Sequence, residues 1–529
     1  MKSLAAVLSV MILLLSAVAL SDSCSGEAGE EFEDGDFSYI VLNPTDVELW
    51  AYDNDSTVAD VVIGDEVVHD EHHYKITRVT AWFTSDSIRT VTIHSNVEYI
   101  DEYSFHCNNL ESFDVIGNTR FGVDDGVLYE MNGINLHRLI KYPSARAGDS
   151  YDVPATVVEI GTGAFSNSSV KTVTFHEGLI KIDTSAFYDC TELTNIRTGV
   201  LDNTLPKSLS IIGNAAFNNC SKLSSISLPD ELSFIGSRAF EESGLTELRI
   251  PYELDYIGEG AFMNCTKLTR FTSDSYSYQA DEETGVLYRI GMNDSKILYA
   301  YPAGSSAIEY RIPEDVNDIA PYSFSGCVNL QTVHLNDDCL SIPDLAFFDC
   351  KSLRSIDLNG VLTTGTASFS GCENLSSVNF GDNLTYIGML SFSYTALTSV
   401  TIPSSVQYIG FGAFRNCYGL TDFTISEDSK ATLEPNVFIN DRALRNITIN
   451  SGDVDLMDES LSISESEADK ATLNVHVVKG YSVPEGAADE YTELNIIVIG
   501  ERPYPWENWI GVFFCVLVII AILMAVREV

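Results

Sequence analysis

The sequence predicts a β-rich solenoid in which parallel strands line one face, short 3₁₀ or irregular segments form the other, and two β-hairpins are inserted. The frame Ile-Gly-x-x-Ala-Phe-x-x-Cys-x-x-Leu recurs, for example over residues 212–223 and 409–420. Its phenylalanines, here called anchors, mostly follow one another after 22 to 24 residues, so each short unit must bury its apolar face against its neighbours. The anchors are Phe105, Phe165, Phe187, Phe217, Phe240, Phe262, Phe324, Phe347, Phe369, Phe392, Phe414 and Phe438.

Apolar and polar residues alternate after each frame, as in Leu375 to Phe380, which is the period of a half-buried strand. Similar patterns occupy residues 223–228 and 353–358. Parallel strands from successive units are therefore expected to pair along the solenoid. The small Gly and Ala of the frame suit close backbone approach on the opposite wall.

Over about residues 80 to 450, this frame resembles the BspA-like leucine-rich repeats of cell-surface proteins, with twelve copies of the anchor. The resemblance implies a leucine-rich-repeat solenoid and a role in extracellular recognition or adhesion. A repeat scaffold does not by itself specify a ligand.

The first segments of the chain are predicted to be a signal and a cap. Residues 1–19 combine Lys2, an apolar run and the exit Ala17-Val-Ala19, which predicts a secretory signal peptide; a retained signal anchor is the alternative. Residues 20–82 lack the frame but contain strand-like runs between turn signals. We predict that they form an N-terminal β cap over the open end of the solenoid.

The chain has one histidine cluster, His69, His72 and His73, beside Asp70 and Glu71. A metal site requires ligands that converge in space with an ordered outer shell. A polar turn between two strands explains the same residues, so no metal or other cofactor is predicted.

The repeat region, residues 83–450, is interrupted twice by the same kind of segment, near residues 120–143 and 278–302. Each segment contains Gly-Val-Leu-Tyr, a Gly- or Asn-containing turn and a second apolar strand closing on Tyr-Pro, which predicts a β-hairpin. These hairpins either project as ligand-contacting loops or pack flat and shield the solenoid.

Most of the eleven cysteines occupy one position, three residues after an anchor, which we call the slot. Repetition at one position per coil indicates a structural role, and we expect mostly free, buried thiols that act as small apolar groups. The units of Phe165, Phe240 and Phe392 lack the cysteine and reach the next apolar residue one position sooner, at Val170, Leu245 and Leu397. The unit of Phe438 has Asp441 in the slot with normal spacing.

The polar residues that flank the buried strand positions, together with one tyrosine in each hairpin, form the candidate binding surface. Alternation alone also requires polar residues at the strand positions, so solvation is the competing explanation. The candidate residues are Thr174, Ser227, Arg249, Arg270, His334, Asp357, Thr401, Thr424, Tyr129 and Tyr288.

The end of the chain is predicted to be a cap, a spacer and an anchor. Residues 451–503 contain two strand-like runs and a proline-containing spacer. Residues 504–529 include the uncharged run Ile510 to Val526, flanked by Trp506, Trp509 and Arg527, which predicts a single transmembrane helix. The repeats would then be extracellular and attached to the membrane through this helix.

The charge balance of 30 Lys and Arg against 76 Asp and Glu, net −46, disfavours nucleic acid as a partner. No P-loop, Gly-x-Ser-x-Gly, His-Glu-x-x-His or dinucleotide-binding motif occurs, and we predict no enzymatic activity. The predicted function is a membrane-anchored extracellular protein that recognises a protein or a glycan. An acidic structural component of the cell envelope without a foreign ligand is the alternative.

Overall fold

The fold is seen in a computed structural model that describes residues 28–464, 466 and 470–499. The chain divides into two units, which meet in sequence between Gly285 and Val286. The predicted signal peptide at residues 1–19 and the predicted anchor at 504–529 lie outside the described residues. Within the described ranges, no helical segment has the length and apolarity that a bilayer crossing requires.

The first unit contains 24 strands in its described part. The first twelve are β1 Glu31–Asp34, β2 Phe37–Asn43, β3 Asp46–Tyr52, β4 Asp60–Ile63, β5 Glu66–His69, β6 His72–Val79, β7 Thr90–Ile93, β8 Tyr99–Ile100, β9 Ser112–Val115, β10 Phe121–Asp124, β11 Val127–Asn132 and β12 Asn135–Lys141. The others are β13 Ser150–Asp152, β14 Glu159–Ile160, β15 Thr172–Phe175, β16 Lys181–Ile182, β17 Asn195–Thr198, β18 Leu201–Asp202, β19 Ile211–Ile212, β20 Phe234–Ile235, β21 Glu247–Ile250, β22 Tyr256–Ile257, β23 Arg270–Ser273 and β24 Tyr278–Ala280.

Two parallel ladders run through the repeats of the first unit. The long ladder comprises β4-β7-β9, β13-β15-β17 and β21-β23, with β18 added antiparallel to β17. The short ladder comprises β14-β16-β19-β20-β22, whose members are two residues long. The hairpin β11-β12 lies where the first insertion was predicted, and β12 joins the short ladder by pairing with β14.

The second unit repeats this plan. Its strands are β25 Leu287–Ile290, β26 Lys296–Ala300, β27 Glu309–Arg311, β28 Asp318–Ile319, β29 Thr332–His334, β30 Ser341–Ile342, β31 Ser355–Asp357, β32 Thr363–Thr364, β33 Ser377–Asn379, β34 Tyr386–Ile387, β35 Ser399–Ile402, β36 Tyr408–Ile409, β37 Asp422–Ile425, β38 Thr432–Leu433, β39 Asn446–Ile449, β40 Asp455–Leu456, β41 Ala471–Val478 and β42 Thr492–Ile499. The long ladder is β27-β29-β31-β33 and β35-β37-β39-β41-β42; the short ladder is β30-β32-β34-β36-β38-β40. The hairpin β25-β26 joins β28.

The anchors form the spine of each unit. In the second unit, the rings of Phe324, Phe347, Phe369, Phe392 and Phe414 stack with centroids 4.7 to 5.5 Å apart and planes within 9° of parallel. All five rings are fully buried. This offset stacking makes each coil depend on its neighbours, which confirms the predicted β-solenoid of stacked parallel strands.

The wall that carries the anchors was predicted to contain short 3₁₀ or irregular segments, and in the described residues it is irregular rather than 3₁₀. The one 3₁₀ segment there, Met292–Asp294, lies at a hairpin tip. The wall instead consists of the short ladder and of turns in which residues two before and two after an anchor have positive φ, as Ala367 and Gly371 do around Phe369. Left-handed residues direct successive N–H groups toward the next coil: Phe369 N–H donates to the Ser391 carbonyl at 2.8 Å.

Three further aromatic residues occupy anchor positions that the repeat frame did not predict. Phe83 stacks on Phe105, Tyr142 on Phe165 and Tyr301 on Phe324. Tyr142 N–H donates to Ala164 O, which is the bond that anchors make to the next coil. The long steps between anchors therefore contain a hairpin followed by a coil whose anchor is a tyrosine.

Candidate binding surface on the strand face

The strand face is the solvent-facing side of the long ladder, formed by β15, β17, β21 and β23 in the first unit and by β29, β31, β33, β35, β37 and β39 in the second. In β35, β37 and β39, the residues Val400, Phe423 and Ile447 pair in register and are at most 3% exposed. Thr401, Thr424 and Thr448 follow them and lie in register on the opposite side. Since strand side chains alternate, one row packs the core and the next row faces solvent.

The structure places eight of the ten candidate residues on or beside this face. Thr174, Ser227, Arg249 and Arg270 belong to the first unit, and His334, Asp357, Thr401 and Thr424 belong to the second. All eight are exposed or half-buried. Ser227 lies outside the named strands and forms an isolated parallel bridge with Thr204.

Several of these side chains are held by neighbours in adjacent coils. Arg249 Nη2 donates to Asp230 Oδ1 at 2.7 Å and its Nε donates to Asp274 Oδ2 at 2.6 Å. His334 Nε2 lies 2.7 Å from Glu309 Oε1. Asp357 Oδ1 accepts a hydrogen bond from the Asn379 side chain at 2.8 Å. Such bonds between coils fix side-chain directions, so the face is preorganised where they occur.

The two hairpin tyrosines are the exceptions and do not lie on an accessible surface. Tyr129 is 0% and Tyr288 is 2% exposed. The hydroxyl of Tyr129 bonds to that of Tyr151, and the hydroxyl of Tyr288 lies 2.8 Å from that of Tyr310. Because each hairpin joins the short ladder, these rings are packed into the core, which corrects their inclusion in the candidate binding surface.

The hairpin tips, in contrast, expose apolar side chains. Ile134 lies in the two-residue turn between β11 and β12 and is 93% exposed, and Met292 lies in the turn between β25 and β26 and is 90% exposed. Thus the bodies of the hairpins pack flat, while their tips remain available for contact.

A polar cleft of about 520 Å³ opens on the second unit, where the long ladder is interrupted between β33 and β35. Residues around it include Asn359, Asn379, Asp382, Thr401, Ser404 and Ser426. Of these, the candidate set contained only Thr401. The cleft could have been found by aligning the repeats on the residues just after each strand.

One group of side chains has the composition of a metal site. His69 Nε2 lies 3.5 Å from Glu30 Oε1 and 3.8 Å from Asp70 Oδ2, and the three ligand atoms lie within 4.8 Å of one another. His72 and His73 are not in this group: His73 Nδ1 lies 3.2 Å from Glu66 Oε2. The His69 ring stacks on Phe32 with centroids 4.1 Å apart, which gives it a packing role without an ion.

The slot cysteines have a structural role. All nine cysteines in the described part of the chain are free and buried. Burial raises the pKa of Cys190 and of Cys265 to about 11, which keeps these thiols protonated and poorly nucleophilic near neutral pH. Their Sγ atoms lie 3.0 and 2.9 Å from the carbonyl oxygens of Phe165 and Phe240 in the preceding coils.

Comparison with known families matches residues 73–134, 199–283, 299–421 and 359–466 to the family described as BspA type leucine-rich repeat region, in six copies. No curated protein matches the chain significantly.

The solved structures similar to this chain include three bacterial proteins. A leucine-rich cell-surface protein of Faecalibacterium prausnitzii is 22% identical, with a TM-score of 0.46, covering 79% of this chain and 94% of its own. The pneumococcal vaccine antigen PcpA is 17% identical, with a TM-score of 0.45, covering 90% and 100%. A leucine-rich repeat protein of Eubacterium ventriosum is 18% identical, with a TM-score of 0.44, covering 72% and 95%. Sequence identities and TM-scores this low do not indicate what the chain binds.

Proposed function

This chain belongs to the BspA-type leucine-rich repeat family, and on that premise we propose that it is a membrane-anchored extracellular protein that binds a protein or a glycan through its strand face. The family supports a binding scaffold. The extracellular location and the anchor rest on the sequence of residues 1–19 and 504–529.

The observation that carries the proposal is the row of solvent-facing side chains on in-register parallel strands. Thr401, Thr424 and Thr448 repeat at the spacing of the ladder above a fully packed core. A surface of this kind offers many weak, regularly spaced contacts to a partner, and its rigidity limits the ordering cost of binding. Hydroxyl groups that both donate and accept suit peptide groups and sugar hydroxyls alike.

The test is to screen the full-length chain, purified in detergent, on arrays of extracellular proteins and glycans at several salt concentrations. Saturable binding to a foreign molecule supports the proposal. Absence of such binding, together with self-association that increases with protein concentration, contradicts it and favours an acidic structural component of the cell envelope.

A further inference from the structure

The ion-pair triad of the first unit marks a position that recurs in the second. Asp230, Arg249 and Asp274 are spaced by 19 and 25 residues, and the guanidinium of Arg249 bridges the two carboxylates. Asp382, Thr401 and Ser426 have the same spacings, 19 and 25 residues. The middle residue stands at the third position of its strand in both cases, β21 and β35.

The local backbone is also the same at both positions. Ser243 and Thr395 replace the slot cysteine just upstream, and Leu245 and Leu397 then come one residue sooner than in cysteine-containing repeats. The long ladder is interrupted directly before β21 and before β35. The two positions are therefore equivalent in the repeat, and their difference lies in the side chains.

In the second unit, Thr401 stands at the position that Arg249 occupies in the first unit, so no guanidinium lies between the two flanking residues. Thr401 is too short to bridge Asp382 and Ser426, and the polar cleft opens around these three residues. Asp382 is exposed, and among the described residues its carboxylate has no hydrogen-bond or ion-pair partner. Asn379, whose Nδ2 donates to Asp357, forms part of the same wall.

We propose that this cleft binds an arginine side chain of a basic partner protein, placed as the guanidinium of Arg249 is placed in the first unit. The proposal deepens the proposed function, on which it rests, by naming the partner class. The net charge of −46 favours basic partners. Among the residues that the structure describes, no Lys or Arg lines the cleft, so its carboxylate attracts a cation and disfavours an anionic ligand.

The geometry favours arginine over lysine. In the first unit, Nη2 of the guanidinium lies 2.7 Å from Asp230 Oδ1 and 2.5 Å from Asp274 Oδ2, and Nε donates to the same Asp274 oxygen at 2.6 Å, so two donors of the fork are used. A planar fork of donors can bond Asp382 and a second acceptor of the cleft at once, whereas an ammonium group acts as a point charge.

The test measures fluorescence anisotropy of a labelled Ac-Gly-Arg-Gly amide peptide titrated with the full-length chain in detergent at physiological salt. The lysine analogue of the peptide is the ligand control. We expect saturable binding that is at least fivefold weaker for the lysine peptide. Asp382→Asn should weaken binding of the arginine peptide at least tenfold.

Two further variants test the equivalence of the sites. Thr401→Arg fills the cleft from within and should abolish binding, while Tyr418→Arg, on an exposed turn outside the strand face, adds the same charge elsewhere and should leave it unchanged. Arg249→Thr, with folding checked by circular dichroism, should open the equivalent position and raise the stoichiometry from one peptide to two.

Undiminished binding by Thr401→Arg or by Asp382→Asn overturns the assignment, as does equal binding of the two peptides. If Thr401→Arg and Asp382→Asn leave array binding intact while the arginine peptide does not bind, the cleft assignment alone fails. If the peptide binds as expected but no protein or glycan on the arrays is bound, the proposed function alone fails.

Discussion

At the scale of single residues, the slot after each anchor is a position for a hydrogen-bonding side chain. Cys372 Sγ lies 3.2 Å from Phe347 O in the preceding coil, and other slot thiols lie as close to the equivalent oxygen. Where Ser or Thr occupies the slot, its hydroxyl contacts the thiol of the next coil, as Thr395 Oγ1 does at 3.2 Å from Cys417 Sγ. The slot therefore forms a column of small polar groups in the core.

We predict that serine is the better replacement for a slot cysteine. Cys372→Ser retains a donor toward Phe347 O and should lower the free energy of unfolding by about 1 kcal/mol or less. Cys372→Ala loses the donor and leaves a small cavity, and should cost about 2 kcal/mol. Urea denaturation of both variants provides the comparison. A larger loss for serine than for alanine would show that the thiol acts only as an apolar group.

Asp441 is the exception in the slot and gives the fold a pH dependence. Its Oδ1 accepts the Cys417 N–H at 2.6 Å, but its Oδ2 has no hydrogen-bond partner within the described residues. Burial raises the pKa of Asp441 well above its ordinary value. The hydrogen bond from the Cys417 N–H lowers this pKa, but by less than burial raises it. The folded state thus favours the protonated acid, and stability is lost as the pH rises through the folded pKa.

We predict that Asp441→Asn stabilises the protein at neutral pH, by about 2 kcal/mol, because the amide keeps the acceptor and removes the cost of protonating the carboxylate on folding. The gain should shrink as the pH falls toward the ordinary range of a carboxyl group, where the native side chain is protonated in both states. Thermal midpoints at pH 7 and pH 5 measure this difference. A gain that is the same at both pH values would contradict the titration of Asp441.

The sequence showed where the slot residues recur but not what they contact. The sequence alone shows that the cysteine recurs. Its hydrogen-bond acceptor is a backbone carbonyl one coil earlier, and this contact depends on how the coils stack. The same limit explains Tyr129 and Tyr288: both follow Gly-Val-Leu in a hairpin, and only the pairing of the hairpin with the short ladder shows that the rings are buried.

At the scale of elements, close contact between coils depends on the glycine of the Ile-Gly pair. A Cβ on Gly388 would lie 2.5 Å from the Gly365 carbonyl oxygen in the preceding coil. The same approach recurs at Gly258, where a Cβ would lie 2.2 Å from Ser237 N. Because the opposing atoms belong to the backbone, a side chain at these positions requires the coils to separate.

We predict that Gly388→Ala lowers the free energy of unfolding by roughly 3 kcal/mol, as overpacking against backbone does. Gly452→Ala is the matched control, since nothing lies within 4 Å of its Cβ position and its φ is not left-handed. Chemical denaturation should show little change for the control. Equal losses for the two variants would mean that the coils are not packed as tightly as described.

Sequence periodicity predicted the long strands well, because their inward residues alternate over four positions. The short strands were not predicted, since two residues are too few to show a period. Tyr142 and Tyr301 were not identified as anchors because an aromatic substitution breaks the frame, although each stands 23 residues before the next phenylalanine.

At the scale of the whole molecule, the solenoid of each unit separates a packed core from a polar strand face. The solenoid architecture was predictable because the repeat frame recurs many times in the sequence. The division into two units and the cleft were not predicted, because each arises from departures from the repeat and the prediction rested on what the repeats share. The cleft depends on Thr401 standing where the equivalent coil of the first unit has Arg249.

The central claim is that the strand face is the binding surface. Surface plasmon resonance against an array-identified partner tests it most directly, with Thr424→Arg on the strand face and Tyr418→Arg on an exposed turn carrying the same added charge. We predict at least a tenfold weaker affinity for Thr424→Arg and an unchanged affinity for Tyr418→Arg. Loss confined to Tyr418→Arg, or equal loss for both variants, would contradict recognition through the strand face.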